Sequence, residues 1–217
     1  MKTVGFIPIK FKNERMPEKN IRPFTNGEPL LTYILKTLLK TSGIDEVYVY
    51  CSSDLITKYI PQGVIFLERP EFLDSPQTNG TEIIKCFTEV VVADVYVMSH
   101  APSPFVKVSS IEKGLKAVTS GQYDSAFSAK KVQEFLWLDG KPINYDPAYI
   151  PRSQETDVYY SETNGFYIFR RELVLKHGRR ICANPYIVEV SQIESVDIDY
   201  EEDFIIADAI FNFAFEK

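Results

Sequence analysis

Four cations, Lys10, Lys12, Arg15 and Lys19, fall within ten residues, directly after an apolar run from Val4 to Ile9. A run of that length and composition reads as a fully buried strand. Strand ends of open α/β sheets are where ligands bind, and clustered cations there suit a phosphate-bearing ligand. The same residues would also serve as a solvated basic loop, closed by Pro17 and Asn20. Much later, Asp197-Ile198-Asp199 ends an apolar stretch just ahead of Glu201, Glu202 and Asp203. On an extended segment residues two apart point the same way, so the two carboxylates can share one cation. Mg²⁺ usually takes one or two carboxylates plus substrate phosphates, which fits a nucleotide enzyme. In the alternative reading Asp199 caps the last helix and the glutamates favour its positive end.

Two further residues have suitable chemistry. His100 follows an apolar run and can hydrogen-bond a substrate, although no neighbour in sequence tunes it as a base. Arg152, in an acidic and aromatic passage, can hold a carboxylate in bidentate fashion or form a structural ion pair. His177, beside Arg179 and Arg180, reads as a surface residue at a helix end. No glycine-rich nucleotide loop of either common pattern occurs, so cationic side chains would have to hold any phosphates.

The elements that position these groups follow from periodicity. Leu30, Leu31, Ile34, Leu35, Leu38 and Leu39 predict an amphipathic helix ending near Ser42-Gly43, after the turn at 26–29. Strands are expected at 47–51, 64–67 and 93–98. A helix at about 54–60, capped from Ser52-Ser53-Asp54, and one from Asn79-Gly80-Thr81-Glu82 to Val91 lie between them. A further helix spans Val108 to Val118. Strand and helix alternate, which implies βαβ units and a mainly parallel sheet, with right-handed crossovers placing the loops at 10–20, 52–54, 68–70 and 99–104 on one edge. Beyond Tyr123 the pattern changes to a strand at 126–129, a hairpin over 135–142 and a Pro- and Tyr-rich passage to residue 160. Strands at 165–169 and 186–190, a short helix at 171–176 and a last helix from Glu201 to Phe215 complete the chain. One domain over residues 1–217 is expected, with 131–163 as an excursion, a dimerisation or substrate arm.

Composition excludes several classes. A net charge of −6 over 217 residues gives no general attraction to nucleic acid or anionic membranes, and makes the basic segment stand out. Cys51, Cys86 and Cys182 are far apart and without metal-ligand spacing. No leader pattern or apolar run of membrane-spanning length is visible, so a cytoplasmic protein is expected.

In this order the motifs resemble the cytidylyltransferases that make CMP-activated acidic sugars, the acylneuraminate (CMP-sialic acid) synthetases and the related Kdo cytidylyltransferases. Ile7-Pro8-Ile9-Lys10 through Lys19-Asn20 is similar to the family's opening IPAR…KN segment. Ser53-Asp54 matches its TD, Arg69-Pro70 its RP, and Ser103-Pro104 falls in a segment similar to QPTSPLR. Pro151-Arg152-x-Gln154, Asn164-Gly165-x-Tyr167-Ile168 and Asp197-Ile198-Asp199 follow. The resemblance implies a Rossmann-like α/β nucleotidyltransferase, a homodimer, and transfer of CMP from CTP to an acidic sugar with Mg²⁺ and release of pyrophosphate. It implies that Pro8, Lys10, Arg15, Lys19 and Asn20 meet CTP, with Lys19, Arg15 and Asp199 in the catalytic role. Arg69 would help to hold cytosine, and His100, Ser103, Arg152, Gln154 and Asn164 would face the sugar acid. Asp197 and Asp199 would hold the metal. The chain departs at Lys10, where the sialic acid branch has Arg, at Asn13-Glu14 for Ser-Lys, and at His100 for Gln. Val106 replaces that motif's Arg, with Lys107 next to it, while Arg15-Met16-Pro17-x-Lys19 is closer to the SRLPGK of the Kdo branch. A different acceptor or base on the same fold, and a non-catalytic nucleotide-binding relative, are the competing expectations.

Overall fold

The computed structural model describes residues 1–11 and 16–214. Its strands are β1 (Thr3–Ile9), β2 (Glu46–Cys51), β3 (Val64–Glu68), β4 (Val95–Ser99), β5 (Ser125–Val132), the hairpin β6 (Trp137–Leu138) and β7 (Lys141–Pro142), β8 (Tyr159–Arg170) and β9 (Pro185–Val190). The helices are α1 (Leu30–Lys40), α2 (Gly80–Val90), α3 (Val108–Thr119), α4 (Arg171–His177) and α5 (Glu201–Ala214). Seven strands form one sheet in the order β3, β2, β1, β4, β8, β5, β9. The first four are parallel, β5 and β9 are parallel to each other, and β8 runs antiparallel between β4 and β5. The expected mixed, mainly parallel sheet flanked by helices is therefore the fold.

Alternation along β1 explains why both faces are covered. Val4 and Phe6 join Phe87, Tyr96 and Phe169 on the face of α2 and α4, and the Phe6 and Phe87 rings stack at 3.9 Å. Ile7 and Ile9 join Leu31, Ile34 and Leu35 of α1 and Ile111 and Val118 of α3 on the other. Gly114 lets α3 sit close to the sheet, because a Cβ there would lie 2.8 Å from Ile168 Cδ1. A third cluster, with Phe24, Phe105, Ile198 and Phe204, seats α5 and the segment before it against the loop that follows β1. That cluster is what carries Asp197 and Asp199 across to Lys19.

Several local expectations change. Residues 54–59 form a 3₁₀ segment rather than an α-helix, and no side chain caps it. The Ser52 hydroxyl instead donates to Asp74. Asn79 does cap α2, with Glu82 returning the hydrogen bond in a capping box. The strand expected at 165–169 is twelve residues long, because its first half continues past the end of β4, where Ser99 pairs with Phe166, to pair with β5. At the start of α5, Asp203 Oδ2 accepts the amides of Asp199 and Tyr200. Among the described residues no helix is long and apolar enough to cross a membrane.

Candidate active site

The parallel strands deliver their loops to one edge, and there Pro8, Lys10, Lys19, Asn20, His100, Asn164, Asp197 and Asp199, with Ala101 and Pro102, line a cavity of about 340 Å³. Lys19, in a 3₁₀ turn (Lys19–Ile21), is buried, and its Nζ donates to the Ile198 carbonyl at 2.5 Å and to Asp199 Oδ1 at 3.0 Å. Asn20 is buried beside it, its side-chain amide 3.5 Å from the Lys10 carbonyl. The basic and acidic stretches, nearly 180 residues apart in sequence, thus meet across one opening.

Asn164 links the other side. It adopts the left-handed conformation at φ 55°, next to Gly165, where an added Cβ would lie 2.9 Å from Ser128 Oγ. Asparagine tolerates that region better than most residues. Its Nδ2 donates to Asp197 Oδ2 at 3.1 Å, and its Oδ1 lies 3.1 Å from the Tyr167 hydroxyl oxygen. Its carbonyl faces His100 Nδ1 at 2.8 Å. A carbonyl only accepts, so Nδ1 carries the hydrogen and the neutral imidazole keeps Nε2 as an acceptor. Burial, reinforced by the charge of Arg180, pushes the His100 pKa down to about 4 against the hydrogen bond to Asn164. At neutral pH the ring is uncharged.

Burial also raises the Asp197 pKa above the usual carboxylate value, helped by the charge of Asp199, while the Asn164 hydrogen bond and Lys19 oppose the rise. The donor set suits a hard divalent cation: two carboxylates at one wall, with Lys19 balancing part of their charge. Among the described residues no group of three or more such ligands forms. An ion held by Asp197 and Asp199 would take its remaining ligands from substrate or water.

A second cavity of about 560 Å³ shares Lys10 with the first and is lined also by Phe11, Ser52, Ser53, Leu55, Glu71 and Asp74. Arg69 lies beneath it, only 3% exposed, with its guanidinium paired to Asp74 and its backbone N–H on the Cys51 carbonyl. Other expected site residues sit elsewhere. Ser103 is fully buried and outside the lining of either cavity, so its hydroxyl does not face the opening in this arrangement. Arg152 and Gln154 are not brought to the cavity by this chain: both are exposed on the excursion, with Arg152 paired to Glu155 at 2.6 Å. Spacing in sequence does not reveal which way an arm folds. Arg15 lies outside the described residues.

Sequence reasoning overlooked Asp74, five residues after Arg69 in a turn-rich passage, and a polar support behind Asn164. There the Tyr167 hydroxyl donates to Glu162 at 2.7 Å and the Arg180 guanidinium lies 3.6 Å from the Tyr167 ring centre. Arg180 reads from sequence as a cation at a helix end, and the chain reversal that returns it to β8 leaves no local signal.

An open α/β sheet with cations facing carboxylates at the carboxyl ends of its parallel strands defines a nucleotide-handling class of protein. Residues 4–215 match the family model described as cytidylyltransferase, and the chain belongs to that family. It is 26% identical over 184 residues to the 3-deoxy-manno-octulosonate cytidylyltransferase 2 of Hydrogenovibrio crunogenus, covering 82% of this chain and 68% of that one. It is 27% identical over 203 residues to the N-acylneuraminate cytidylyltransferase of Oncorhynchus mykiss, covering 89% of this chain and 46% of the relative. The chain thus spans about half the length of the N-acylneuraminate enzymes that it matches. Among solved structures, a CMP:2-keto-3-deoxy-manno-octonic acid synthetase complexed with CTP superposes with a TM-score of 0.72 at 16% identity, over 98% of this chain and 99% of that one. A 4-diphosphocytidyl-2C-methyl-D-erythritol synthase from Anaerococcus prevotii gives 0.67 at 13% identity, over 97% and 96%. These two likenesses concern the fold.

Proposed function

We propose that the protein is a CTP-dependent cytidylyltransferase that activates an acidic sugar, a nonulosonic or ulosonic acid, to its CMP derivative and releases pyrophosphate. The observation that carries this reading is the first cavity, where Lys10 and Lys19 face Asp197 and Asp199 with His100 and Asn164 between them. The second cavity, joined through Lys10, has the size and polarity for a nucleoside. The relatives that act on acidic sugars support the choice of acceptor.

In this mechanism a sugar hydroxyl oxygen bonds to the α-phosphorus of CTP, its O–H proton leaves to solvent, and the bond from that phosphorus to the β-phosphate bridging oxygen breaks to release pyrophosphate. Lys19 holds two acceptors and offers its third N–H to a phosphate oxygen, with Lys10 adding charge nearby. His100, neutral with Nδ1 fixed by Asn164, accepts the hydrogen of the attacking hydroxyl at Nε2 and aligns it. Mg²⁺ held by Asp197 and Asp199 would offset the charge on the phosphates. Catalysis is then chiefly positioning and electrostatics.

The excursion supports a homodimer in which a second copy covers it. Trp137, Leu138, Tyr149 and Ile150 are all more than half exposed there, a contiguous segment of chain in which large apolar side chains face solvent. The exposed Arg152 is then available to a neighbouring cavity, where it would meet the sugar carboxylate.

The test is pyrophosphate release from CTP and Mg²⁺ with a panel of ulosonic and nonulosonic acids and neutral sugars. Turnover is expected with at least one acid and with no neutral sugar. Inertness toward every acid would remove the acceptor assignment.

A further inference from the structure

We propose that Asp74 selects cytosine over uracil by accepting a hydrogen bond from the 4-amino group of the base, with Arg69 and Ser52 as the residues that position its carboxylate. The inference rests on the reading of the site as CTP-dependent. Lys10 belongs to both cavities, so a triphosphate held by the lysines of the first extends its nucleoside into the second. There Phe11 and Leu55 offer apolar contact for a base, and Asp74 stands at the wall.

The polarity of that wall is set by what already holds Asp74. One oxygen takes the Arg69 guanidinium and the other takes the Ser52 hydroxyl. Arg69 is nearly without solvent contact, so its paired guanidinium holds the carboxylate in a fixed orientation. An ionised carboxylate only accepts, and each oxygen retains a lone pair for one more donor. Cytosine presents an N–H at position 4, whereas uracil presents a carbonyl oxygen, which would meet the carboxylate with no hydrogen between them. Arg69 gives a terminal guanidinium nitrogen to Asp74, and it is not among the residues that line the cavity, which makes it a support for the reader rather than the reader.

The experiment compares kcat/KM for CTP and UTP, and equilibrium binding of both nucleotides, in the wild type, Asp74→Asn and Ser52→Ala. The wild type is expected to prefer CTP. Asp74→Asn replaces an acceptor by an amide able to donate to the uracil carbonyl, so the CTP/UTP ratio should fall about ten- to a hundredfold. Ser52→Ala leaves the carboxylate and its ion pair but frees one oxygen, and should lower the ratio several-fold while the thermal midpoint stays close to that of the wild type. Should Asp74→Asn fail to fold, the ratio in Ser52→Ala decides. A uniform loss with both nucleotides and an unchanged ratio would overturn the assignment and leave Asp74 as a counter-ion of Arg69. A wild type that neither binds nor uses CTP would instead overturn the parent reading of the site.

Discussion

Replacing Lys19 by Met keeps most of the length of the side chain and removes its charge, which isolates what the ammonium contributes. In the folded protein that ammonium has two described acceptors, the Ile198 carbonyl at 2.5 Å and Asp199 Oδ1 at 3.0 Å. Lys19 is 8% exposed, whereas the side chain of Asp199 is 43% exposed. A fully buried pair would lose about 3–5 kcal/mol on removal of one partner. Water reaches Asp199 and screens the charge that remains, so the loss should approach that of hydrogen bonds to a charged group, about 1–3 kcal/mol. For a chain of this length each kcal/mol moves the thermal midpoint by about 2–4 °C, which predicts a drop of about 5 °C. The effect on turnover should be larger, because a cation aimed at developing charge contributes about two to three orders of magnitude to kcat. Differential scanning fluorimetry and pyrophosphate release on the same preparation measure both. Wild-type kcat/KM for CTP in Lys19→Met would refute the placement of the triphosphate beside Lys19. An unchanged thermal midpoint would refute the pairing with Asp199.

Three further predictions concern neighbouring groups. Glu194 is buried at the start of α3, where it accepts from the Lys107 amide at 3.1 Å and the Ser110 hydroxyl at 2.6 Å. Burial pushes its pKa upward, but these hydrogen bonds and the Lys107 charge outweigh that and hold it below 4.5. Its contribution is therefore present above that value and lost as pH falls through the lower folded pKa. Glu194→Gln should cost about 1–3 kcal/mol in urea unfolding at pH 7, and the gap should close in acid. For His100 the sign is opposite in origin: the unfolded ring binds its proton near 6.5 and the folded one near 4, so between those values the unfolded state holds more protons and stability rises with pH. His100→Gln should flatten this part of the profile, measured as unfolding free energy between pH 4 and 7. Asn164→Ala should lose about 1–2 kcal/mol from its left-handed backbone together with the side-chain hydrogen bond to Asp197. Asn164→Gly should recover the backbone component in thermal unfolding without restoring turnover, and equal recovery of both would contradict a side-chain role.

The cation-bearing wall of the first cavity was legible because it lies on a short loop after a strand. An apolar run such as Val4 to Ile9 specifies a buried parallel strand through composition alone, and the residues that follow such a strand must emerge at the carboxyl edge. Lys10, Lys19 and Asn20 were therefore placed by position in the chain. Asp197 and Asp199 were visible as a pair that, read beside the basic loop, suited a metal better than a helix cap. The third hydrophobic cluster packs Ile198 among Phe24, Phe105 and Phe204, which brings Asp199 to Lys19 and both carboxylates to the cavity wall. Asp203, four residues on, accepts the amides of Asp199 and Tyr200 at the helix start. Residues on the excursion were not placeable in advance, since an arm with little periodicity carries no register to fix its direction. Arg152 ended on its outer surface for that reason.

By itself, then, the sequence determined an alternating α/β chain with a basic loop at the end of β1 and the elements that form its core. Those features follow from local periodicity and from short-range chain geometry. Tertiary structure decided which distant groups share a cavity. Asn164 came to bridge His100 and Asp197, and Asp74 came to rest on Arg69 and Ser52. The insertion of an antiparallel β8 between β4 and β5, and the segment leading into α5, bring the first set together, and the parallel pairing of β2 with β3 brings the second. Contacts of that kind depend on how whole layers pack, and no spacing along the chain encodes them.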